Sequence, residues 1–118
     1  MAVHNELGRQ GEDIAAEYLI QKGHKIIERN YRYRRAEVDI ISQIGDTVVF
    51  TEVKARSTDA FGYPEFSIND KKRQLLRDAM DFYVEENKIK EETRFDYISI
   101  VKNERETHVH HIEDAFYH

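Results

Sequence analysis

The sequence predicts an α/β domain in which helices pack on a mixed β-sheet, in the order helix, three strands, helix, two strands (αβββαββ). Three observations predict it. Apolar residues recur at helical spacing in two separate stretches, residues 7–22 and about 67–86. Between them, two runs rich in Val, Ile, Phe and Thr flank Gly45-Asp46, a two-residue hairpin signal with glycine in the first turn position. Beyond the second helix lie two further strand-like runs, residues 95–101 and 108–112.

The first helix is carried by Leu7, Gly11, Ile14, Ala15 and Tyr18, and Gly23 follows as its C′ residue. Asp13 and Glu17 project away from that stripe. Glu12 lies on its other flank near Leu19, where a first-turn acid favoured by the helix dipole is the ordinary explanation. Residues 24–31 read as a strand with Ile26 and Ile27 as its apolar content, and residues 36–43 and 47–55 form the hairpin. Residues 56–66 form a loop holding Phe61-Gly62-Tyr63-Pro64. Ser67 is the expected N-cap of the second helix, with Asp70 approximating a capping box. Leu75, Leu76, Ala79, Phe82 and Tyr83 form its apolar face, and the helix ends near Glu86.

The hairpin carries the most informative residues. Glu37-Val38-Asp39-Ile40-Ile41 and Val48-Val49-Phe50-Thr51-Glu52-Val53-Lys54 place charge in strands whose other residues are mostly apolar. Strand interiors rarely hold charge without a reason. With Gly45 and Asp46 as the loop, Ile44 faces Thr47, Asp39 faces Glu52 and Glu37 faces Lys54. Two opposed carboxylates with Cβ atoms about 5 Å apart repel, and a divalent cation between them resolves the conflict. Lys54, two residues beyond Glu52, shares its face. The bland alternative is a solvated hairpin face on which Glu37 and Lys54 form an ordinary cross-strand pair. Against it, both faces read as buried. Ile41 and Phe50 accompany Asp39 and Glu52, and Val38, Ile40, Val49 and Val53 fill the other face, as in a central strand.

The chain of 118 residues suits one domain, and the absence of cysteine excludes disulfides and thiolate metal sites. The N-terminus has no basic segment followed by an apolar one, and no apolar run is long enough to cross a bilayer, so a cytoplasmic protein is expected. The net charge of −5 does not advertise nucleic-acid binding, but it hides a segregation. Lys25, Arg29, Arg32, Arg34 and Arg35 precede the hairpin, and Lys54, Arg56, Lys71, Lys72, Arg73 and Arg77 follow it, while the acidic excess lies in residues 78–118. Such a split fits a phosphate-binding surface beside a metal site. It fits solvated faces equally well. DNA affinity is expected to be modest and sensitive to salt.

Other constellations are weaker. His108 and His110 would share a strand face, with His111 beside them, but no fourth zinc ligand stands out and an exposed edge strand explains them. The five glycines form no phosphate-cradling loop. Phe61, Tyr63 and Phe66 have the chemistry to stack on bases, but loop aromatics more often anchor the loop to the core.

Taken together, Gly8-Arg9-Gln10-Gly11-Glu12, Ala36-Glu37-Val38-Asp39, Glu52-Val53-Lys54-Ala55-Arg56 and Phe61-Gly62-Tyr63-Pro64 resemble the YraN family of bacterial proteins. That family is similar to the archaeal Holliday-junction resolvases and to the PD-(D/E)XK restriction-endonuclease-like superfamily. The resemblance runs along nearly the whole chain, to Ile112-Glu113-Asp114-Ala115-Phe116. It implies one restriction-endonuclease-like domain over residues 1–118. In that likeness Asp39 matches the metal-binding aspartate, Glu52 the second acid, Lys54 the motif lysine and Glu12 the helix-1 glutamate of resolvase-like members. Ala36 replaces the usual glycine, and Val38 stands where the superfamily has proline. All four polar positions are kept.

The expected chemistry is Mg²⁺- or Mn²⁺-dependent hydrolysis of phosphodiester bonds in DNA, with branched DNA among the candidate substrates. Asp39 and Glu52 would supply carboxylate oxygens to a hard cation. The Val53 carbonyl joins them by resemblance, and Glu12 would bind directly or through water. The metal would lower the pKa of a bound water and polarise a phosphoryl oxygen. Lys54 would orient that water or offset charge in the transition state. Arg9, Arg56, Lys71, Lys72 and Arg73 would position the phosphate backbone. A homodimer would suit a symmetric junction. The alternatives are a non-catalytic adaptor that keeps the fold, and an RNA-directed nuclease.

Overall fold

The computed structural model describes residues 6–58 and 68–117. Its elements are α1 (Glu6–Gln21), β1 (Lys25–Tyr33), β2 (Ala36–Ile44), β3 (Thr47–Arg56), α2 (Asp70–Glu86), β4 (Glu92–Lys102), β5 (Thr107–Ile112) and a final 3-10 turn, Ala115–Tyr117. The order is the expected αβββαββ. The strands lie in the sheet as β1-β2-β3-β4-β5. Only β3 and β4, joined through α2, run parallel; the other neighbours are antiparallel. No helix among the described residues is long and apolar enough to cross a membrane.

The two helices cover opposite faces. Leu76, Ala79, Met80 and Tyr83 of α2 pack on Ile41, Phe50, Phe95 and Tyr97. Ala15, Ala16 and Leu19 of α1 pack on Ile40, Ile98 and Ile100. Along β4 the two sets alternate as the pleat requires, with Phe95 and Tyr97 turned to α2 and Ile98 and Ile100 to α1. Both faces of β2 and β3 are therefore buried, which is why their sequences lack a clean polar side.

Local signals account for most boundaries. Gly23 at φ +102° ends α1, and the His24 amide bonds the Leu19 carbonyl at 2.9 Å. Gly45 at φ +56° makes the hairpin turn. The N-cap of α2 is Asn69, whose side chain accepts from the Lys72 amide at 2.8 Å. This corrects the assignment to Ser67, which itself lies outside the described residues. Asparagine caps as well as serine does.

Ile27 corrects the reading of β1. The register shifts between Ile26 and Glu28, so Ile27 is left out of the pairing and stays 42% exposed.

A buried polar network ties the C-terminal strands to α1. Asp96 accepts two bonds from the Arg94 guanidinium, at 2.8 and 2.9 Å, and one from the Asp114 amide at 3.1 Å. His111 Nε2 lies 2.8 Å from the same carboxylate, and its Nδ1 lies 3.2 Å from the Tyr18 hydroxyl. With Asp96 ionised, Nε2 carries the proton and Nδ1 accepts from Tyr18. Burial alone would raise the Asp96 pKa; the bonds from His111, Arg94 and the Asp114 amide outweigh it and hold the group below its usual 3.8. The histidines of β5 are thus divided. His111 is turned inward, and exposed His108 sits 3.1 Å from Glu106.

Gly11 is where α1 meets the sheet most closely. A Cβ there would lie 2.7 Å from the Ala55 Cβ, which has no flexible end to give way. Gly11→Ala is expected to cost about 1–3 kcal/mol in urea denaturation, with much of it recovered when Ala55→Gly is added. Asp96→Ala should cost on the order of 3–5 kcal/mol, because Arg94 is left without its counter-charge and His111 without its acceptor. The Asp96 contribution is complete above pH 3.8 and is lost as pH falls through its lower folded pKa. A urea series across acid pH reads both.

Candidate functional site

The hairpin register predicted from the Gly45-Asp46 turn is borne out from Ile44↔Thr47 to Ile40↔Thr51, where the ladder stops. Asp39 and Glu52 are the next residues in that register, just beyond the last pair. Asp39 is also skipped on its other side, since β1 pairs Arg29↔Ile40 and Tyr31↔Val38 but not the residues between. The skipped β1 residue, Asn30, has φ +56°. Here the pleat changes face. Val38 packs with the α2-side cluster and Ile40 with the α1-side cluster, although strict alternation puts them together. That corrects the predicted grouping of Val38 with Ile40, and it coincides with the gap in the β2–β3 ladder beyond Ile40↔Thr51.

Asp39 stands in the gap. Its Oδ2 accepts from the Val53 amide at 2.7 Å, replacing the strand carbonyl that the ended ladder no longer provides. Within a strand a residue's N–H and C=O point the same way, so the Val53 carbonyl borders the same gap. Glu52 is buried, and its two oxygens lie 3.2 and 3.4 Å from Lys72 Nζ. Glu12 is buried on the sheet-facing stripe of α1 with Gly11, Ala15, Ala16 and Leu19. Arg29 Nη2 lies 3.7 Å from Glu12 and 2.9 Å from Asp13. Glu37 bonds Arg32 across β1 at 3.3 Å rather than pairing with Lys54, because it lies beyond the end of the β2–β3 ladder.

These positions set the charge of Asp39. Burial is the largest influence and raises its pKa; the Val53 hydrogen bond lowers it; Glu12, Glu52 and Glu37 raise it again, to about 7. Acids from α1, β2 and β3 therefore act on one buried carboxylate. Tyr97, beside Glu52 in the β3–β4 register, is pushed up to about 12 by burial and by Glu52. Among the described residues no three His, Asp or Glu side chains already stand at metal-ligand spacing. The donor set nevertheless fits a hard cation, because it is all oxygen and its central carboxylate is surrounded by acids.

Relatives can be placed beside this geometry. The family model of "Uncharacterised protein family UPF0102" matches residues 11–100. This chain belongs to UPF0102, the YraN family. It is similar to the UPF0102 protein of Christiangramia forsetii, 50% identical over 118 residues that cover 100% of this chain and 99% of the relative. The UPF0102 protein of Flavobacterium psychrophilum is 45% identical over the same span and coverage. That of Thermodesulfovibrio yellowstonii is 43% identical over 112 residues, covering 95% and 96% of the two chains.

In this UPF0102 member the other predicted site residues divide into two groups. Val53 and Ala55 pack toward α1, so Glu52, Lys54 and Arg56 face the side where α2 begins. Lys54 and Arg56 are exposed, and Lys54 has no ion pair among the described residues. Lys71 is exposed, and Arg73 bonds Asp70 at 3.2 Å. Arg9 stands one turn before Glu12 but is held by Glu6 at 2.7 Å. Phe61, Tyr63 and Phe66 lie outside the described residues. Two partners escaped the sequence reading, Arg29 for Glu12 and Lys72 for Glu52. Each comes from another element and leaves no periodic signal.

Asp39 opposes Asp96 in its pH dependence. Its folded pKa of about 7 exceeds the usual 3.8, so its favourable contribution is fully present below 3.8 and lost as pH rises through 7. Asp39→Asn, which keeps an acceptor for Val53, is expected to stabilise the metal-free chain at pH 8 by on the order of 3 kcal/mol. The gain should shrink toward zero near pH 4. Thermal melts in a chelator at the two pH values check this.

Proposed function

We propose that this chain is a divalent-cation-dependent nuclease that hydrolyses phosphodiester bonds in DNA, with Mg²⁺ or Mn²⁺ as its metal. One observation carries the reading: a buried carboxylate, Asp39, stands where the β2–β3 ladder ends and feels the charge of acids on α1, β2 and β3. Asp39 is in no ion pair among the described residues, and a cation of oxygen preference would supply the missing counter-charge. The likeness to the PD-(D/E)XK superfamily supports the same assignment of Asp39, Glu52 and Lys54.

In this reading Asp39 and Glu52 hold the cation, the Val53 carbonyl borders it, and Glu12 approaches from the α1 side. When bound, the cation supplies Lewis acidity to the phosphoryl group and to an attacking water. The Val53 amide fixes one oxygen of Asp39 and leaves the other free to bind metal. Burial excludes competing water and strengthens each charge interaction. Lys54, exposed on the Glu52 face, offsets negative charge that builds on the phosphoryl oxygens. Arg56, Lys71 and Arg73 bring positive charge to the same side for the phosphate backbone, and Arg9, on α1, would have to leave Glu6 to join them. Their contribution is electrostatic and weakens steeply with salt.

The test is cleavage of linear, flap and four-way DNA by purified protein with Mg²⁺ or Mn²⁺. Asp39→Ala and Glu52→Gln should each lower the rate at least ~100-fold, in keeping with the loss of a group that acts in the transition state. Lys54→Ala should lower it while metal binding persists. Undiminished cleavage by Asp39→Ala, or none by wild type on any substrate with either metal, defeats the proposal. A preference for the four-way substrate would identify branched DNA as the target.

A further inference from the structure

The ammonium of Lys72 straddles Glu52, 3.2 Å from one oxygen and 3.4 Å from the other. Both oxygens of a carboxylate needed by a cation are thus already engaged by a side chain from α2. The lysine side chain is 40% exposed and the glutamate 10%, so Lys72 lies on the solvent side of Glu52. Its backbone is fixed, because its amide bonds the Asn69 cap at 2.8 Å. Any exchange therefore needs only rotation of a flexible four-carbon stem, not movement of the helix. The pair at Glu12 differs, since Arg29 sits 3.7 Å from that acid and is held more closely by Asp13 at 2.9 Å.

The geometry points to Lys72 as the resident counter-ion of Glu52, displaced by the divalent cation and thereby released to bind a phosphate of the nucleic acid. This rests on the metal-binding reading above and adds a coupling to it. Without metal, Lys72 neutralises Glu52 and keeps a buried acid tolerable. With metal, that role passes to the cation, and a positive charge is freed beside Lys71 and Arg73. Metal occupancy raises affinity for the phosphate backbone, and by linkage a bound backbone that holds Lys72 raises affinity for metal. Lys54 does not share this role, as it faces solvent with no ion pair among the described residues.

The test joins calorimetry to NMR on the intact chain. Mn²⁺ titration of wild type, Lys72→Gln and Glu52→Gln reads the competition. Lys72→Gln should bind Mn²⁺ about two- to fivefold more tightly, the range expected for loss of a partly exposed competing ion pair, and Glu52→Gln should lose binding. Mg²⁺ titration followed on the lysine Cε–Hε resonances reads the displacement itself. The Lys72 signal, assigned by its absence in Lys72→Gln, should shift in step with Mg²⁺ saturation while Lys71 stays in place. Binding by wild type that is lost in Glu52→Gln, with an unmoved Lys72 signal or weaker binding by Lys72→Gln, overturns the exchange and leaves the metal site standing. No binding by wild type or Lys72→Gln overturns both.

Discussion

A single hydrogen bond, from the Val53 amide to the Asp39 carboxylate, carries the join between β2 and β3 beyond the end of their ladder. A β-ladder that stops must find other partners for its backbone groups. Here a side chain from β2 takes the place of the missing carbonyl, so β2 and β3 separate without leaving that amide bare. Glu12 on α1 and Glu52 on β3 both act on the charge of Asp39 there. Without the bond the strands would either continue their pairing and close the gap, or part and expose an unsatisfied donor.

Such a site works against the stability of the fold that holds it. Asp39 is buried among like charges, which raises its pKa to about 7. Asp96, one position before Tyr97 on the neighbouring strand, shows the opposite solution. It is wholly buried yet bonded by Arg94, His111 and the Asp114 amide, and its pKa falls. The contrast separates a carboxylate with both oxygens bonded from one that has a single hydrogen bond among the described residues. Apolar packing on both faces of the central strands supplies the stability that offsets the cost of burying Asp39.

Much of this was legible in the sequence because it is local. Helical and strand periodicities gave the element order, and Gly45-Asp46 set a register that holds as far as Ile40 and Thr51. Asp39 and Glu52 stood out as charges in apolar strands. The change of face at Asp39 did not, because a period of two assumes an unbroken pleat, and the left-handed Asn30 that accompanies the break resembles any surface asparagine. The partners of Glu12 and Glu52 were hidden for a different reason, since Arg29 and Lys72 reach them through tertiary packing. Asp96 was legible and overlooked: Phe95-Asp96-Tyr97-Ile98-Ser99-Ile100 is another acid in an apolar strand, the same signal that marked the hairpin.

A nine-residue strand at the border of a sheet ordinarily invites a foreign strand to add itself. β1 is built to refuse. The register shift between Ile26 and Glu28 and the left-handed backbone at Asn30 interrupt the even spacing of backbone amides and carbonyls, and Arg34 and Arg35 place positive charge just past its end. An incoming strand would meet neither a straight template nor a neutral one. The same irregularities that accompany the skipped pairing at Asp39 thus make β1 a poor template for fibre-like polymerisation.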